Sequence, residues 1–313
     1  MKTPDRLRDA LRRRADLYAL IRKFFAERNV LEVETPILSA GANTDPNIRS
    51  FSTMFRGKEE RWLRTSSEFA QKRLLAAGIG DCYELGRVFR DGEVGRSHNP
   101  EFTMLEWYRV GRDHRWLAGE TVELISAALG SVNKPVDVHQ TTYRDLFKST
   151  VGVDPFSDSE EKLRTALGPN AIDPRGLNRD DWLDLLLTHR IQPAFPCDRI
   201  TVVIDYPPTQ CALAQVCNGV AERFEVYVGV HELANGYHEL TDAAEQRRRF
   251  ERDNARRRER GIARLPIDAN LLAALDSGMP ACAGVALGIE RLLMAIAGTG
   301  EIADVMLFPF QKA

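Results

Sequence analysis

Apolar positions recur at helical spacing from the start of the chain. Leu7, Leu11, Leu17, Leu20, Ile21, Phe24 and Phe25, with Arg and Lys between them, predict one amphipathic helix over residues 5–28. The period then changes: Val30-Leu-Glu-Val-Glu-Thr-Pro36 alternates like a strand and stops at a proline, which has no N–H to give to a ladder. Residues 68–77 read as a second helix, and 81–90 and 101–110 as two strands joined by a long polar loop, 91–100. Residues 112–195 are mostly helical in pattern, with a capping sequence at Ser157-Asp-Ser-Glu160 and turns at Gly168-Pro169 and Asp173-Pro174, and are expected to form an inserted lobe. Strand signals return over 200–206 and 223–230, and again over 284–288, which feeds a helix at 289–297. Hairpin-joined strands interrupted by helices predict an α+β fold, an antiparallel sheet flanked by helices, rather than a βαβ array. No GxGxxG or GxxxxGK[ST] occurs, which argues against a Rossmann or P-loop nucleotide site.

Composition narrows the class without touching the chemistry. The 313 residues carry 43 Lys+Arg against 45 Asp+Glu, so bulk charge gives no sign of a nucleic-acid binder. No apolar run approaches the roughly 20 residues a membrane span needs, and no apolar segment follows the N-terminal arginines to make a secretory signal. The five cysteines are odd in number, scattered and never CxxC, which fits reduced, buried thiols in a cytoplasmic protein.

The hairpin Glu222-Arg-Phe-Glu-Val-Tyr-Val-Gly-Val-His-Glu-Leu233 is the first candidate for chemistry. A two-residue turn at Val228-Gly229 would set Glu225 opposite Glu232. Facing carboxylates repel, so either the register differs and both reach solvent, or a divalent cation lies between them, for which hard oxygens suit Mg²⁺. A bulge at Ala234-Asn-Gly236 would then bring Glu239 to the same face as Glu232. In the strand 101–110, alternation places Glu106 on one face with Phe102, Met104 and Tyr108, where a carboxylate needs a partner: a structural arginine or a cationic ligand such as an ammonium group. Upstream, Arg87, Arg90, Arg96, His98 and Asn99 crowd one edge, as a solvated loop or as donors for a polyphosphate. Gly284-Val-Ala-Leu-Gly288-Ile-Glu-Arg291 ends a strand and opens a helix with a cation in its first turn, against the helix dipole. Either a partner carboxylate, such as Glu290, or a bound anion accounts for Arg291.

These segments together resemble the catalytic domain of class II lysyl-tRNA synthetases over roughly residues 15–310. The opening helix with Val33-Glu-Thr-Pro36 is similar to motif 1. Phe89-Arg90 with His98-Asn-Pro-Glu-Phe-Thr-Met-Leu-Glu106 is similar to motif 2, and the segment from Gly284 to Arg291 to motif 3. Thr65-Ser-Ser-Glu68 resembles the amino-acid-binding segment. Only about a dozen residues precede the motif 1 helix, too few for the N-terminal anticodon-binding OB domain of those enzymes. The chain therefore looks like a member of the free-standing elongation factor P–(R)-β-lysine ligase family, a single catalytic domain over 1–313 with an insertion at 112–195.

The resemblance implies an ATP-dependent ligase that adenylates (R)-β-lysine or lysine and transfers it to a lysine side chain of elongation factor P, with ATP and Mg²⁺, as a cytoplasmic homodimer that uses no tRNA. It implies catalytic roles for Arg90 and Arg291. It implies nucleotide binding by Arg90, Asp91, Glu93, His98, Asn99, Phe102, Glu232, Leu233, Gly288 and Arg291, and Mg²⁺ at Glu225 and Glu232. Ser66, Ser67, Glu68, Glu106, Tyr108, Glu239 and Ala286 are the implied amino-acid pocket. Ala286 stands where tRNA-charging relatives usually carry glycine. Motif 2 departs from the usual Arg-x-Glu: here it reads Arg90-Asp-Gly-Glu93, so either the loop bulges at Gly92, or Asp91 or backbone takes the glutamate's place. A truncated tRNA-charging synthetase and a non-catalytic regulatory subunit are the competing readings; the latter is disfavoured by the presence of Arg90, Arg291, Glu225, Glu232 and Glu239. The arginine-rich stretch 242–261 is open to two readings, a salt-bridged solvated helix or a docking face for an acidic partner.

Overall fold

The computed structural model describes residues 4–134, 136–168 and 176–313, with side chains from residue 7. Of the turns expected in the lobe, Pro169, Asp173 and Pro174 lie outside the described residues. The chain divides into two compact units, one made of residues up to Arg112 with Leu240–Ala313, the other of Asp113–Glu239.

In the first unit the strands run in the order Leu31–Glu32, Cys82–Phe89, Glu101–Val110, Cys282–Gly288, antiparallel except for the short parallel pair at the edge. The expected strand after the opening helix is thus only two residues long, ending well before Pro36. The opening helix, Pro4–Ala26, buries Leu17, Ile21, Phe24 and Phe25. Phe25 stacks on Tyr83 at 4.4 Å between ring centroids and meets the edge of Trp107 at 5.4 Å. Each such side chain contributes about 2 kcal/mol relative to exposure, so packing on the sheet holds the opening helix in place. A small sheet, Leu38–Ser39, Glu59–Leu63 and Ser52–Phe55, and a helix at Ala269–Asp276 were not foreseen from periodicity.

The arginine-rich helix is Ala243–Glu259, capped by Asp242, whose side chain accepts from Glu245 N–H. Arg249 and Arg257 are buried, the first on Glu245 at 2.9 Å, the second on the backbone carbonyls of Ala263 and Asp45.

In the second unit the order is His231–His238, Val220–Val228, Arg199–Tyr206, Asp137–Thr142, with the last pair parallel. The segment 112–195 is therefore not purely helical: it supplies the edge strand Asp137–Thr142, a polar stretch whose pattern gave no strand signal. Its helices Tyr143–Val151, Glu160–Leu167 and Arg179–Leu186 close over a core of Tyr143, Phe147, Leu163, Trp182, Leu183 and Leu186. Ser159, rather than Ser157, caps the middle helix, because Ser157 is already folded into a turn on Asp154. Cys82, Cys211 and Cys282 are buried free thiols, whereas Cys197 and Cys217 are exposed, correcting the expectation that all five are buried.

Candidate active site

The central rows of the first unit bring together those residues of the expected amino-acid pocket that lie in this unit. Glu106 lies opposite Glu84 on one side and Ala286 on the other, and Tyr108 lies opposite Cys82 and Gly284. Glu106 is buried, and no arginine meets it among the described residues. Its carboxylate accepts from Ser66 Oγ at 2.6 Å, from Ser67 N–H at 2.8 Å and from Ser67 Oγ. Gln71 Nε2 donates to Ser67 Oγ at 2.7 Å, and Ser66 Oγ accepts from Glu68 N–H at 2.9 Å. Burial pushes Glu106 above the usual carboxylate range; the Ser66 and Ser67 hydrogen bonds pull it back and the charge of Glu68 pushes it up again. Glu68 itself, expected to receive a substrate amino group, meets the buried Lys72 ammonium at 2.5 Å.

A second buried network, absent from the sequence reading, lies beside the first. Arg64 and Glu84 pair at 2.6 Å, and Thr35 of the motif 1 segment donates to Glu84 at 2.6 Å while accepting from Arg64 at 2.7 Å. Gly86 makes room for it: a Cβ there would fall on the Arg64 guanidinium and 2.8 Å from Glu84 Oε1. Two charges of opposite sign, far apart in sequence and each embedded in unremarkable context, left no pattern to read.

The cationic residues gather at the other end of the same strands. Arg90 lies over the Phe102 ring at 5.2 Å and turns toward Glu93 at 3.4 Å. Gly92 takes φ +83, so the loop folds back there and Glu93 returns to Arg90 in spite of the extra residue. Asp91 is exposed, its N–H bonded to the Arg49 carbonyl. Arg291, the third residue of the helix Ile289–Ala297 that follows Gly288, reaches His98 Nε2 at 2.8 Å. A guanidinium only donates, so His98 is the neutral tautomer with its proton on Nδ1. Burial, and after it the Arg291 charge, hold His98 below the usual histidine value. The suggested Arg291–Glu290 pairing is not formed: buried Glu290 pairs with Arg14 at 2.8 Å and accepts from Thr103 N–H at 2.8 Å. Asn99 is a bridge, donating to Glu101 O at 2.7 Å and accepting from Phe310 N–H at 2.8 Å. Nearby, Ile302 N–H donates to Arg96 O at 2.7 Å and Arg96 pairs with Glu301 at 2.8 Å.

In the second unit the hairpin turn is Gly229-Val230, not Val228-Gly229. Glycine takes the first central position with φ +53, which a two-residue turn of this kind requires. Glu225 is consequently opposite Asn235, and Glu232 opposite Tyr227, with a bulge at the buried Leu233. The expected parity shift occurs one residue earlier than expected. Directly opposed residues share a face, so Glu225, Tyr227, Glu232, Asn235 and Tyr237 point the same way, and alternation carries that face toward the buried Glu239.

Glu225 is gripped by two groups: Arg223 pairs with Oε1, and the Tyr227 hydroxyl donates to Oε2. Burial, then the charges of Glu225 and Glu232, push the Tyr227 phenol well above the usual tyrosine range. Burial alone would lower Arg223, but Glu225, Tyr237, Tyr206 and Glu232 outweigh it. Among the described residues no three His, Cys, Asp or Glu side chains gather as a cation cage. Glu225 and Glu232 share one face, as a Mg²⁺ held by one or two protein carboxylates and completed by phosphate and water would require, while both Glu225 oxygens and Asn235 Oδ1 are engaged by Arg223 and Tyr227.

A family model of the class II tRNA synthetases (D, K and N) matches residues 2–312. A protein of Vibrio cholerae serotype O1 named elongation factor P–(R)-β-lysine ligase is 46% identical over 97% of this chain and 96% of its own. Ligases of the same name from Salmonella gallinarum (44% identical, 97% and 95%) and Vibrio parahaemolyticus (45% identical, 97% and 97%) match the same extent. With motif 2, motif 3 and the serine-caged glutamate assembled on one sheet, the chain belongs to the class II tRNA synthetase family, in the group of the elongation factor P–(R)-β-lysine ligases.

Proposed function

We propose that this protein is an ATP-dependent ligase that activates (R)-β-lysine, or lysine, as an acyl-adenylate and joins it to a lysine side chain of elongation factor P. The observation that carries the reading is the division of one strand face. Phe102 with Arg90 stands at one end and Glu106, held by neutral donors, at the other, four residues and about 13 Å apart. That is the scale of an aminoacyl-adenylate, with its base stacked at the aromatic end and its ammonium at the acid.

Arg90 would hold the substrate carboxylate and the α-phosphate, Phe102 would stack on adenine, and Arg291 with His98 would cover the phosphates. Glu106 and Tyr108, with Glu239, would receive the distal ammonium, and Glu68 the other amino group. The Ala286 methyl opposite Glu106 would favour a displaced, β-amino group. Mg²⁺ at Glu225 and Glu232 would supply neutralisation of the phosphate charge. The carboxylate oxygen attacks the α-phosphorus and pyrophosphate leaves; the acceptor amine then attacks the carbonyl, loses a proton and forms an amide as AMP departs. On this reading rate enhancement rests on positioning and on charge stabilisation rather than on a general base. No helix among the described residues is long and apolar enough to cross a membrane; on this reading the enzyme would work in the cytoplasm, as a homodimer formed through the motif 1 helix.

The test supplies ATP, Mg²⁺ and labelled (R)-β-lysine or lysine with either elongation factor P or total tRNA. Alkali-stable label on one lysine of elongation factor P, more from β-lysine, is expected. Alkali-labile labelling of tRNA with the protein untouched would overturn the reading.

A further inference from the structure

The segments of the first unit that carry the expected nucleotide residues are joined by one buried network. The ladder between Glu101–Val110 and Cys282–Gly288 ends with Gly288 opposite Met104, while the first of these strands runs on to Glu101 against its other neighbour, Cys82–Phe89. Thr103 is the first residue past the end of that ladder, and its N–H is accepted by Glu290, at 2.8 Å, from the helix that follows Gly288. Thr103 and Glu290 are both buried, so water offers no substitute partner. The Glu290 carboxylate prolongs the strand edge by one bond.

Arg14 of the opening helix supplies the countercharge. Its Nη1 lies 2.8 Å from Glu290 and donates to the Tyr18 hydroxyl at 3.1 Å and to Thr103 Oγ1 at 3.4 Å, and its Nη2 donates to the Val305 carbonyl at 3.4 Å. The Tyr18 hydroxyl also donates to Thr103 Oγ1 at 3.4 Å. Alternation explains the meeting. Phe102 faces one side of the sheet with Met104 and Glu106, and Thr103 faces the other with Trp107, against which the opening helix packs through Phe25. Arg14, Tyr18, Ile21 and Phe25 fall on one stripe of that helix.

The ends of the Glu290–Thr103 bond give it a consequence beyond stability. Thr103 follows Phe102, the ring that takes adenine in the ligase reading, and Glu290 precedes Arg291, which with His98 covers the phosphates. We propose that Glu290 and Arg14 are positioning residues of the nucleotide site: the Glu290–Thr103 bond fixes how far Phe102 stands from Arg291, and Arg14 holds Glu290 to that bond. The inference rests on the ligase reading above and adds to it two residues that act through others. Glu290 is 2% exposed, and a buried carboxylate stripped of its cation is driven toward water. Without Arg14 it swings out and takes the first turn of the Arg291 helix with it. A nucleotide spans Phe102 and Arg291, so it gains both contacts only while their separation is right; a ligand that uses one of them alone is indifferent to it.

Calorimetric titration of the full chain with ATP, adenosine and tripolyphosphate, each with Mg²⁺, tests this. Arg14→Met and Glu290→Ala should each weaken ATP about tenfold, while adenosine and tripolyphosphate stay within about twofold of wild type. In amino-acid-dependent pyrophosphate exchange the KM for ATP should rise by the same factor, and the KM for lysine or (R)-β-lysine should not move. Arg14→Lys keeps the charge and should restore most of the ATP affinity. Arg14→Met with Glu290→Gln leaves an amide oxygen for the Thr103 N–H and strands no charge, so ATP affinity should recover there too, the non-additivity expected of coupled groups. This double variant keeps the test decisive if Arg14→Met folds poorly. Equal weakening of all three ligands, or unchanged ATP affinity in both single variants, overturns the inference and leaves the ligase reading standing. A wild type that binds no ATP overturns that reading, and the inference with it.

Discussion

Arg64→Met removes the cation paired with Glu84 while keeping the aliphatic volume of the side chain. The guanidinium pairs with Glu84 at 2.6 Å and also donates to Thr35 Oγ1 at 2.7 Å and to the Arg87 carbonyl at 2.8 Å. Both charged side chains are about 5% exposed, so water cannot replace the lost partner. Stripping one member from a buried pair costs about 3–5 kcal/mol because the other is left as an uncompensated charge. Total fold stability is about 5–15 kcal/mol, so this one change removes a large share of it. The midpoint of thermal unfolding should fall by roughly 10 °C. Adding Glu84→Gln should recover about 2 kcal/mol, because the stranded charge goes with it. Gly86→Ala offers an independent approach, since its methyl would land on the guanidinium and press against Glu84 Oε1. It should destabilise the wild type but cost much less once Arg64 is gone, the non-additivity expected of groups in contact. Urea and thermal unfolding followed by circular dichroism measure the wild type and all four variants. A loss under about 1 kcal/mol for Arg64→Met, or no recovery on adding Glu84→Gln, would refute the account of this pair.

Glu232→Gln should raise the Mg²⁺ concentration needed for half-maximal rate and weaken Mg²⁺-dependent nucleotide binding measured separately; Glu225→Gln in the same chain should then add little, and fully additive effects would show that the two do not share an ion. Glu239→Gln should weaken lysine binding by about 3 kcal/mol, roughly a hundredfold, and leave ATP binding unchanged, with equal losses for both ligands counting against its assignment to the amino-acid pocket. His98 is held below 6.5 by burial and by Arg291, so its neutral form contributes stability fully above pH 6.5, and that contribution is lost as pH falls through the lower folded-state value. The difference in unfolding free energy between wild type and His98→Gln should therefore shrink on the acid side of 6.5, and a difference that is flat with pH would exclude the neutral His98–Arg291 contact.

The periodic parts of the chain were legible. The opening helix, the motif 2 strands and the strand feeding Ile289–Ala297 announce themselves because one face of each is apolar at a fixed period. Glu106 was legible as an anomaly, an acid among Phe, Met and Tyr, and the resemblance implied Ser66 and Ser67 for the same pocket, but that their hydroxyls hold the carboxylate emerges only once the fold brings them to it. The hairpin register was misplaced by one position, since sequence shows that a glycine turns but not which of two central places it occupies; the required positive φ settles that. Asp137–Thr142 was missed because an edge strand that is mostly exposed carries no alternation. Arg64, Glu84 and Thr35 come from three separate segments, and only tertiary structure assembles them.

The bonds from residues 96–99 to residues 301–310 have a mechanical consequence. Asn99 Oδ1 fixes the Phe310 N–H, and Arg96 is tied to Ile302 and Glu301 through both its carbonyl and its side chain. Two anchors about nine residues apart turn a surface loop and a chain segment far away in sequence into a single moving part. A load placed on the last residues, such as a fused tag or a tether to a surface, would be transmitted to the loop that carries His98. Immobilisation through the opposite end of the chain would leave that loop free to respond to nucleotide.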